Sequence, residues 1–269
     1  MTRAMAPRSY LFVPADRPER YAKALASGAD AVIVDLEDAV APAAKDRARA
    51  ALAAWLDGGG HGVVVRINDA ASALFASDLA LVARPGVSAV VVPKAARVDD
   101  LARVRAAAPA AALLPLVETA AGIANARALA RAEGVERLLF GSIDLQLDLG
   151  IDGDGDELLA FRSELVLASR LAAIAAPVDG VCTALDDDAA LEAETRRARK
   201  LGFAGKLCIH PRQVAVVHAA FAPSADEIAW AKRIVAAAGA NAGGAVAVDG
   251  AMVDRPVLLR AQSLLARAR

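Results

Sequence analysis

The sequence has few cysteines, few aromatic residues, almost no net charge and no long apolar run. Its two cysteines, Cys182 and Cys208, do not form a CxxC pair. A disulfide scaffold and a zinc cluster are therefore disfavoured, and we expect two buried thiols in a reducing compartment. Because 31 Lys and Arg are balanced by 32 Asp and Glu, the net charge of −1 provides no basic field for binding nucleic acid.

Long apolar segments are also missing. Stretches without charge, such as Ile234–Val248, contain several glycines and fall short of the roughly 20 residues that span a bilayer. The first apolar run, Tyr10–Val13, is too short for a secretory signal. We therefore expect a cytoplasmic protein that binds neither membranes nor nucleic acid.

The chain is nevertheless long and apolar enough to bury a large core. It has 269 residues, of which 57% are hydrophobic and 4% aromatic, and much of the hydrophobic fraction is alanine. This composition excludes disorder as the bulk state, and its alanine favours helices. The length suits one barrel domain of alternating strands and helices.

Short apolar runs recur along the chain, separated by Ala-rich stretches with charges at helical spacing. The runs are often β-branched and do not alternate with polar residues, which is typical of parallel strands buried on both faces. Eight of them in alternation with helices predict an α/β fold, a (β/α)8 TIM barrel. An open doubly wound sheet is less favoured, because no GxGxxG follows the first run. The eight runs are Ser9–Val13, Ala31–Asp35, Val63–Ile67, Ala89–Val92, Ala112–Val117, Arg137–Phe140, Pro177–Cys182 and Gly205–Ile209.

The chain continues beyond the eighth predicted unit. A helix after Pro223, two short apolar runs joined by Asp249-Gly250, and a last helix from about Pro256 predict a helical and hairpin extension. We predict two domains, a catalytic barrel over residues 1–222 and an extension over 223–269. The extension either caps the barrel or reaches a neighbouring subunit.

Charged residues directly follow several of the predicted strands. In barrels of this type the chemistry lies at the carboxyl ends of the strands, so these side chains are expected at one rim. Glu118 and Asp144 follow the neighbouring fifth and sixth strands, and two such carboxylates suit Mg²⁺, which keeps several waters. Alternatively, each carboxylate caps a helix or pairs with a basic residue at the rim.

Two further rim residues allow more than one interpretation. Arg66 either binds a substrate carboxylate in a fork or pairs with the acidic cluster Asp35–Asp38. His210 is better interpreted as a hydrogen-bonded rim residue than as a catalytic base. The acidic run Asp152–Asp156 fails the calcium-loop pattern at its sixth and twelfth positions, and we interpret it as a loop that starts a helix.

Seven segments in order along the chain resemble the citrate lyase β-subunit and malyl-CoA lyase family of CoA-thioester carbon–carbon lyases. The resemblance covers nearly the whole chain and implies a (β/α)8 barrel, in agreement with the strand pattern. It also implies Mg²⁺, with Mn²⁺ as a substitute, and a CoA thioester as substrate. The segments are RSYLFVPADRPER at 8–20, VDLEDAV at 34–40, VRIN at 65–68, VPK at 92–94, LVET at 116–119, GSIDL at 141–145 and CIHP at 208–211.

The resemblance assigns roles to individual residues. It implies Glu118 and Asp144 as metal ligands, with Glu118 and Ile143 also in the substrate site. It further implies that Arg66 contacts the substrate carboxylate or the forming enolate. Arg17 and Lys23 match positions that hold CoA phosphates, and Glu37 and Asp38 match groups around the metal-bound waters. The sequence departs from many relatives at Pro14-Ala15-Asp16, where they have a glycine after the proline.

The extension carries the last part of the resemblance. The segment DGAMVDRP at 249–256 is similar to the family segment whose aspartate transfers a proton, which makes Asp254 the candidate acid/base. In that family the extension covers the barrel of a neighbouring subunit, so a homo-oligomer, with a trimer as the family-like order, is expected.

The implied reaction is Mg²⁺-dependent cleavage of a 3-hydroxyacyl-CoA of the citramalyl, malyl or citryl type into a 2-oxo acid and acetyl-CoA or a homologue. The alternatives are a CoA-thioester hydrolase or malate-synthase-like enzyme, a CoA-independent 2-oxo acid aldolase, and an acyl-CoA-binding subunit of a larger lyase complex.

Overall fold

Eight parallel strands close into a barrel in the order β1 to β8, with β8 pairing back onto β1. The structure is a computed structural model and describes residues 6–240, 246–248 and 251–267. The TIM-barrel prediction is confirmed. The barrel strands are β1 Ser9–Pro14, β2 Ala31–Asp35, β3 Val63–Arg66, β4 Val87–Val92, β5 Ala112–Val117, β6 Leu139–Phe140, β7 Val178–Asp179 and β8 Gly205–Cys208.

Side chains from every strand fill the inside of the barrel. They are almost entirely aliphatic, as a closed parallel barrel requires of its interior. This packed interior leaves the rim at the carboxyl ends of the strands as the place for chemistry. The interior cluster consists of Tyr10, Ile33, Val64, Ala89, Val91, Leu114, Leu116, Leu139, Val178 and Leu207.

Helices cover the outside of the barrel. They follow the predicted alternation because their apolar residues recur at helical spacing; α2, for example, buries Ala48, Leu52 and Leu56 on one face. Short 3-10 helices precede α1, α2 and α8. The helices are α1 Tyr21–Leu25, α2 Lys45–Asp57, α3 Phe75–Val82, α4 Val98–Ala107, α5 Ala120–Ala124, α6 Ala126–Ala130, α7 Ser142–Leu149, α8 Leu159–Leu171, α9 Asp188–Leu201, α10 Arg212–Phe221, α11 Ala225–Ala240 and α12 Arg255–Arg267.

The chain divides into two compact units between His218 and Ala219, inside α10. The second unit contains α11, α12 and the strands β9 Val246–Val248 and β10 Ala251–Val253, which pair antiparallel. The predicted turn residues Asp249 and Gly250 lie outside the described residues, but the pairing on either side of them confirms the hairpin. The core of this unit is formed by Ala231, Ile234, Val253, Ala261 and Leu264.

Strands β6 and β7 are shorter than the sequence predicts. Beyond Asp179 the chain runs outside the strand ladder, and the Gln213 side-chain amide donates a 2.9 Å hydrogen bond to the Cys182 carbonyl. Gly180 leaves room for the Ser142 hydroxyl, which would lie 2.6 Å from a Cβ at that position. In the described part of the chain, no helix is long and apolar enough to cross a membrane.

Candidate active site

A cavity of about 470 Å³ opens at the carboxyl ends of the barrel strands. Phe12, Leu116, Phe140 and Leu207 form part of its apolar floor, and polar residues enter from β2, β3, β5 and α7. The size suits a small acyl group rather than a macromolecule. Five of the predicted site residues line this one cavity: Asp38, Arg66, Glu118, Ile143 and Asp144.

Glu118 directly follows β5 and is almost fully buried in the cavity, with 1% of its surface exposed. Its Oε1 accepts a 2.7 Å hydrogen bond from the backbone N–H of Lys94. Burial, reinforced by the nearby negative charges of Glu37 and Asp144, raises the pKa of Glu118 to about 8. A cation bound beside Glu118 would stabilise its ionised form.

Gly141 gives Glu118 the space it occupies. A Cβ on Gly141 would lie 2.3 Å from Glu118 Oε2, closer than side chains approach one another. The backbone at Gly141 has φ of −96°, so the glycine serves the close approach and not a left-handed turn. Asp144 follows in the first turn of α7 and lies half-buried at the cavity wall.

Replacing Gly141 by alanine is therefore expected to displace the Glu118 carboxylate without unfolding the barrel. We expect Mg²⁺ affinity to fall by about 10- to 100-fold, as when the group that orients a metal ligand is lost. Calorimetric titration of Mg²⁺ into the variant measures this effect. Gly239→Ala is the matched control, because nothing lies within 4 Å of a Cβ at that position. Unchanged Mg²⁺ affinity in Gly141→Ala would contradict the prediction.

The donor set of the cavity suits Mg²⁺ better than a metal held by protein ligands alone. Glu118 and Asp144 supply hard carboxylate oxygens, which Mg²⁺ prefers. Among the described residues, no group of three or more His, Cys, Asp or Glu is arranged to hold a metal ion. A Mg²⁺ ion bound by these two carboxylates would take its other ligands from water or substrate, as is usual for Mg²⁺ in enzyme sites.

Arg66 is held rigidly by acidic residues at the end of β2. Its Nε and Nη2 donate to the two carboxylate oxygens of Asp35 at 2.7 and 2.6 Å, and its Nη1 lies 3.0 Å from Glu37 Oε2. The guanidinium also stacks over the ring of Phe12, with 4.8 Å to the centroid. The ion pair with the acidic cluster, one of the two alternatives, is thus present. Since Arg66 also lines the cavity, a substrate anion can reach it as well.

Asp35 is the anchor of this arrangement. It is fully buried and accepts backbone N–H bonds from Glu37 at 2.8 Å and from Ala39 at 3.0 Å, in addition to the Arg66 fork. The neighbouring carboxylates raise the pKa of Arg66 further above its usual range, although burial opposes them. Arg66 therefore carries a permanent charge at a fixed position.

The other predicted residues lie elsewhere. Arg17 and Lys23 are exposed and do not line the cavity, and Arg17 is 3.9 Å from Asp16. His210 is satisfied within the rim, because its Nδ1 accepts the backbone N–H of Arg212 at 3.1 Å. Asp254 belongs to the second unit, where its Oδ1 accepts the N–H of Val257 at the start of α12.

Sequence reasoning found the ends of the strands but assigned no role to Lys94 or Gly141. Lys94 is half-buried and contacts both Glu118 and Glu37, and its Nζ donates to Glu37 Oε1 at 2.6 Å. The only indication in the sequence that Lys94 belongs to the site was its position directly after Val92-Pro93 at the end of the fourth predicted strand. A glycine that directly follows a strand, as Gly141 follows β6, would have been the corresponding signal.

Comparison with known proteins identifies the family of the chain. The family model described as HpcH/HpaI aldolase/citrate lyase matches residues 8–211, and a model described as a C–C bond lyase of the TIM-barrel fold matches residues 166–269. A citrate lyase subunit beta-like protein of Deinococcus radiodurans is 40% identical, with 96% of each chain covered. A (3S)-malyl-CoA thioesterase of Cereibacter sphaeroides is 36% identical over 97% of this chain and 94% of its own.

Among solved structures, the protein CitE of Mycobacterium tuberculosis in complex with magnesium, acetoacetate and coenzyme A superposes with a TM-score of 0.88. It is 39% identical, and the alignment covers 98% of each chain. With the matched barrel and the matched extension, the resemblance drawn from the sequence motifs is confirmed: the chain belongs to the HpcH/HpaI aldolase/citrate lyase family.

Proposed function

We propose that the protein is a Mg²⁺-dependent carbon–carbon lyase that cleaves a 3-hydroxyacyl-CoA of the citramalyl, malyl or citryl type into a 2-oxo acid and acetyl-CoA or a homologue. The observation that carries the proposal is the single cavity into which Glu118, Asp144 and Arg66 converge at the barrel rim. The magnesium and coenzyme A in the Mycobacterium tuberculosis structure support the same cofactor and substrate class here.

Glu118 and Asp144 are the residues that would hold the metal ion. When bound, Mg²⁺ supplies Lewis-acid chemistry, which lowers the pKa of the substrate hydroxyl and polarises the ketone that forms; Mn²⁺ would serve in the same way. Glu37 and Asp38 lie beside this place and are suited to orient water or substrate around it.

Arg66 would stabilise the negative charge of the substrate carboxylate and of the thioester enolate. The substrate hydroxyl would lose its proton to solvent, and its oxygen would form the ketone C=O as the bond between the alcohol carbon and the thioester α-carbon breaks. The electron pair of that bond would remain on the thioester fragment as the enolate. Asp35 binds Nε and Nη2 of Arg66, and Nη1 lies 3.0 Å from Glu37 Oε2 and 3.6 Å from Asp38 Oδ2. Nη1 would interact with the substrate beside these two carboxylates. A charge that is already oriented costs no reorganisation during the reaction.

Asp254 would complete the reaction by protonating the enolate carbon, and in the reverse direction it would remove that proton. We propose that it acts on a neighbouring subunit of a homo-oligomer, a trimer by analogy with the family. Arg17 and Lys23, both exposed cations near the start of the first helix, would bind the CoA phosphates.

Thioester hydrolysis is the second candidate function, favoured by the similarity to the (3S)-malyl-CoA thioesterase. Both reactions use an acidic cavity and a CoA thioester, but their products differ. A lyase releases a 2-oxo acid and leaves the thioester intact, whereas a hydrolase releases free CoA thiol and no 2-oxo acid.

The deciding assay follows both products from citramalyl-, malyl-, β-methylmalyl- and citryl-CoA in the presence of Mg²⁺. Phenylhydrazine captures any 2-oxo acid, and a thiol reagent reports free CoA. We expect the hydrazone without free thiol from at least one substrate, and loss of the signal with EDTA. Free thiol alone would identify the hydrolase. Release of a 2-oxo acid only from substrates without CoA would identify an aldolase, and no turnover by folded, CoA-binding protein would indicate a subunit of a larger complex.

A further inference from the structure

Lys94 has a backbone conformation that side-chain-bearing residues rarely adopt. It follows β4 and Pro93 at the rim of the barrel, and its φ is +47°. Among the described residues, Ala173 is the one other non-glycine residue with positive φ. Strain of this kind persists where the surrounding structure enforces it, and it concentrates at functional sites.

The backbone N–H of Lys94 binds Glu118 at this left-handed turn. The N–H donates to Glu118 Oε1 at 2.7 Å, and Gly141 leaves space for the other oxygen of the carboxylate. The φ of +47° sets the direction in which the side chain and the following chain leave this amide. The turn therefore lets one residue place its N–H on Glu118 and its side chain on Glu37.

The side chain of the same residue binds a second buried carboxylate. Lys94 Nζ donates to Glu37 Oε1 at 2.6 Å, and the other oxygen of Glu37 lies 3.0 Å from Arg66 Nη1. Glu37 is 6% exposed, and its Oε2 makes no hydrogen bond. The ammonium of Lys94 thus determines where Glu37 lies, and Glu37 in turn faces the guanidinium nitrogen that Asp35 leaves free.

We propose that Lys94 is a positioning residue that holds two carboxylates of the active site, Glu118 and Glu37. Its backbone orients Glu118 for the metal ion, and its side chain orients Glu37 and, through Glu37, the Arg66 nitrogen that meets the substrate. The inference rests on the proposed function for its catalytic consequence, but the part that concerns Glu118 depends only on Mg²⁺ binding.

Two substitutions separate the backbone role from the side-chain role. Lys94→Gly adopts positive φ without strain, so it is expected to keep the N–H on Glu118 while it loses the whole side chain with its ammonium. Lys94→Val loses the ammonium and, as a β-branched residue, also disfavours positive φ. Ala173→Gly is the matched control, since it relieves the other positive φ at a position that follows α8.

The two Lys94 variants are expected to differ in Mg²⁺ affinity, whereas kcat should fall in both. Calorimetry should give Lys94→Gly an Mg²⁺ Kd within about threefold of the native value, and Lys94→Val a Kd weaker by about tenfold or more, as for lost orienting partners of metal ligands. Both variants should lose about tenfold or more in kcat, because Glu37 is no longer held in place beside Arg66. Ala173→Gly should match the native protein in both measurements.

Chemical rescue tests the side chain directly. The Lys94 side chain is 35% exposed and borders a second cavity of about 450 Å³, so a small amine can reach the vacated position. We expect n-butylammonium, which reproduces the missing side chain, to raise kcat of Lys94→Gly and to have little effect on Lys94→Val. Circular dichroism and thermal unfolding check that both variants are folded.

Each outcome supports or overturns the proposal. Equal Mg²⁺ affinities of folded Lys94→Gly and Lys94→Val would overturn the backbone role, and native kcat in Lys94→Gly would overturn the side-chain role. If Lys94→Val does not fold, kcat of Lys94→Gly and its rescue by the amine still test the side-chain role. If the native protein cleaves no CoA thioester, the proposed function fails, and the Mg²⁺ affinities of the same variants still test the orientation of Glu118.

Discussion

Glu118→Gln is expected to abolish Mg²⁺ binding and to lower kcat by about 10³-fold or more, since several kcal/mol of Lewis-acid stabilisation is lost and each 1.36 kcal/mol is tenfold in rate. Glutamine keeps the size of the side chain and still accepts the Lys94 N–H with its carbonyl oxygen. The change removes only the negative charge from a position with 1% exposure. Asp144→Asn should have the same effect from the other side of the cavity.

Stability should change in the opposite direction from activity. Burial and the negative charges of Glu37 and Asp144 raise the pKa of Glu118 to about 8, so the metal-free side chain is largely protonated at pH 7. Glutamine resembles that neutral acid, and the substitution is therefore not expected to destabilise the fold. Thermal unfolding without Mg²⁺ should show a melting temperature equal to or above that of the native protein, and added Mg²⁺ should stabilise only the native protein.

Asp152→Asn is the charge-matched control. Asp152 is exposed in the loop after α7 and does not line the cavity. It should leave both Mg²⁺ affinity and kcat at native values. Tight Mg²⁺ binding by Glu118→Gln and Asp144→Asn together would show that the metal is held elsewhere, and would remove the basis of the proposed reaction.

The sequence predicted the barrel well because its signal is repeated. Eight apolar runs with helices between them leave few alternatives, and a wrong boundary in one run does not change the fold. Strands β6 and β7 were overestimated because tertiary contacts, such as the hydrogen bond from Gln213 to the Cys182 carbonyl, replace the ladder there. Such contacts depend on which segments meet in space, and apolar pattern carries no information about them.

The site was predictable to the level of residue position and no further. The rule that chemistry lies at the carboxyl ends of strands placed Arg66, Glu118 and Asp144 at one rim, and all three line the cavity. The sequence pattern did not decide whether Arg66 binds a substrate carboxylate or the acidic cluster Asp35–Asp38, because a guanidinium can form paired hydrogen bonds with either. The positive φ of Lys94 was out of reach, since lysine gives no local signal for that conformation.

Substitution of Asp254 is also expected to cause a large loss of activity. Asp254→Asn is expected to lower kcat by about 10²- to 10⁴-fold, the usual contribution of a general acid or base, while Mg²⁺ and CoA binding remain near native. The substitution spares the fold of the second unit, because the asparagine carbonyl oxygen can still accept the Val257 N–H that Asp254 Oδ1 accepts at the start of α12. A native rate in this variant would remove Asp254 from the mechanism.

Co-expression of two inactive variants tests whether Asp254 serves its own barrel or a neighbour's. Asp254→Asn has an intact barrel and a defective extension, whereas Glu118→Gln has a defective barrel and an intact extension. If the extension serves a neighbour in a closed homo-oligomer, random assembly places an intact extension on an intact barrel in about one quarter of sites. Purification through a different tag on each variant removes the unmixed oligomers, so we expect about one third of native turnover per chain from a mixed trimer, in which one site of the three is intact.

Action within one chain gives a different result from the same protein. Each site would then combine a barrel and an extension from one variant, so every site would carry a defect and the mixture would stay at the level of the separate variants. Asp152→Asn co-expressed with Glu118→Gln provides the reference for dilution, because half of its barrels are intact and all of its extensions are native. Turnover near one half in that reference and near zero in the test mixture would establish that Asp254 acts in its own chain.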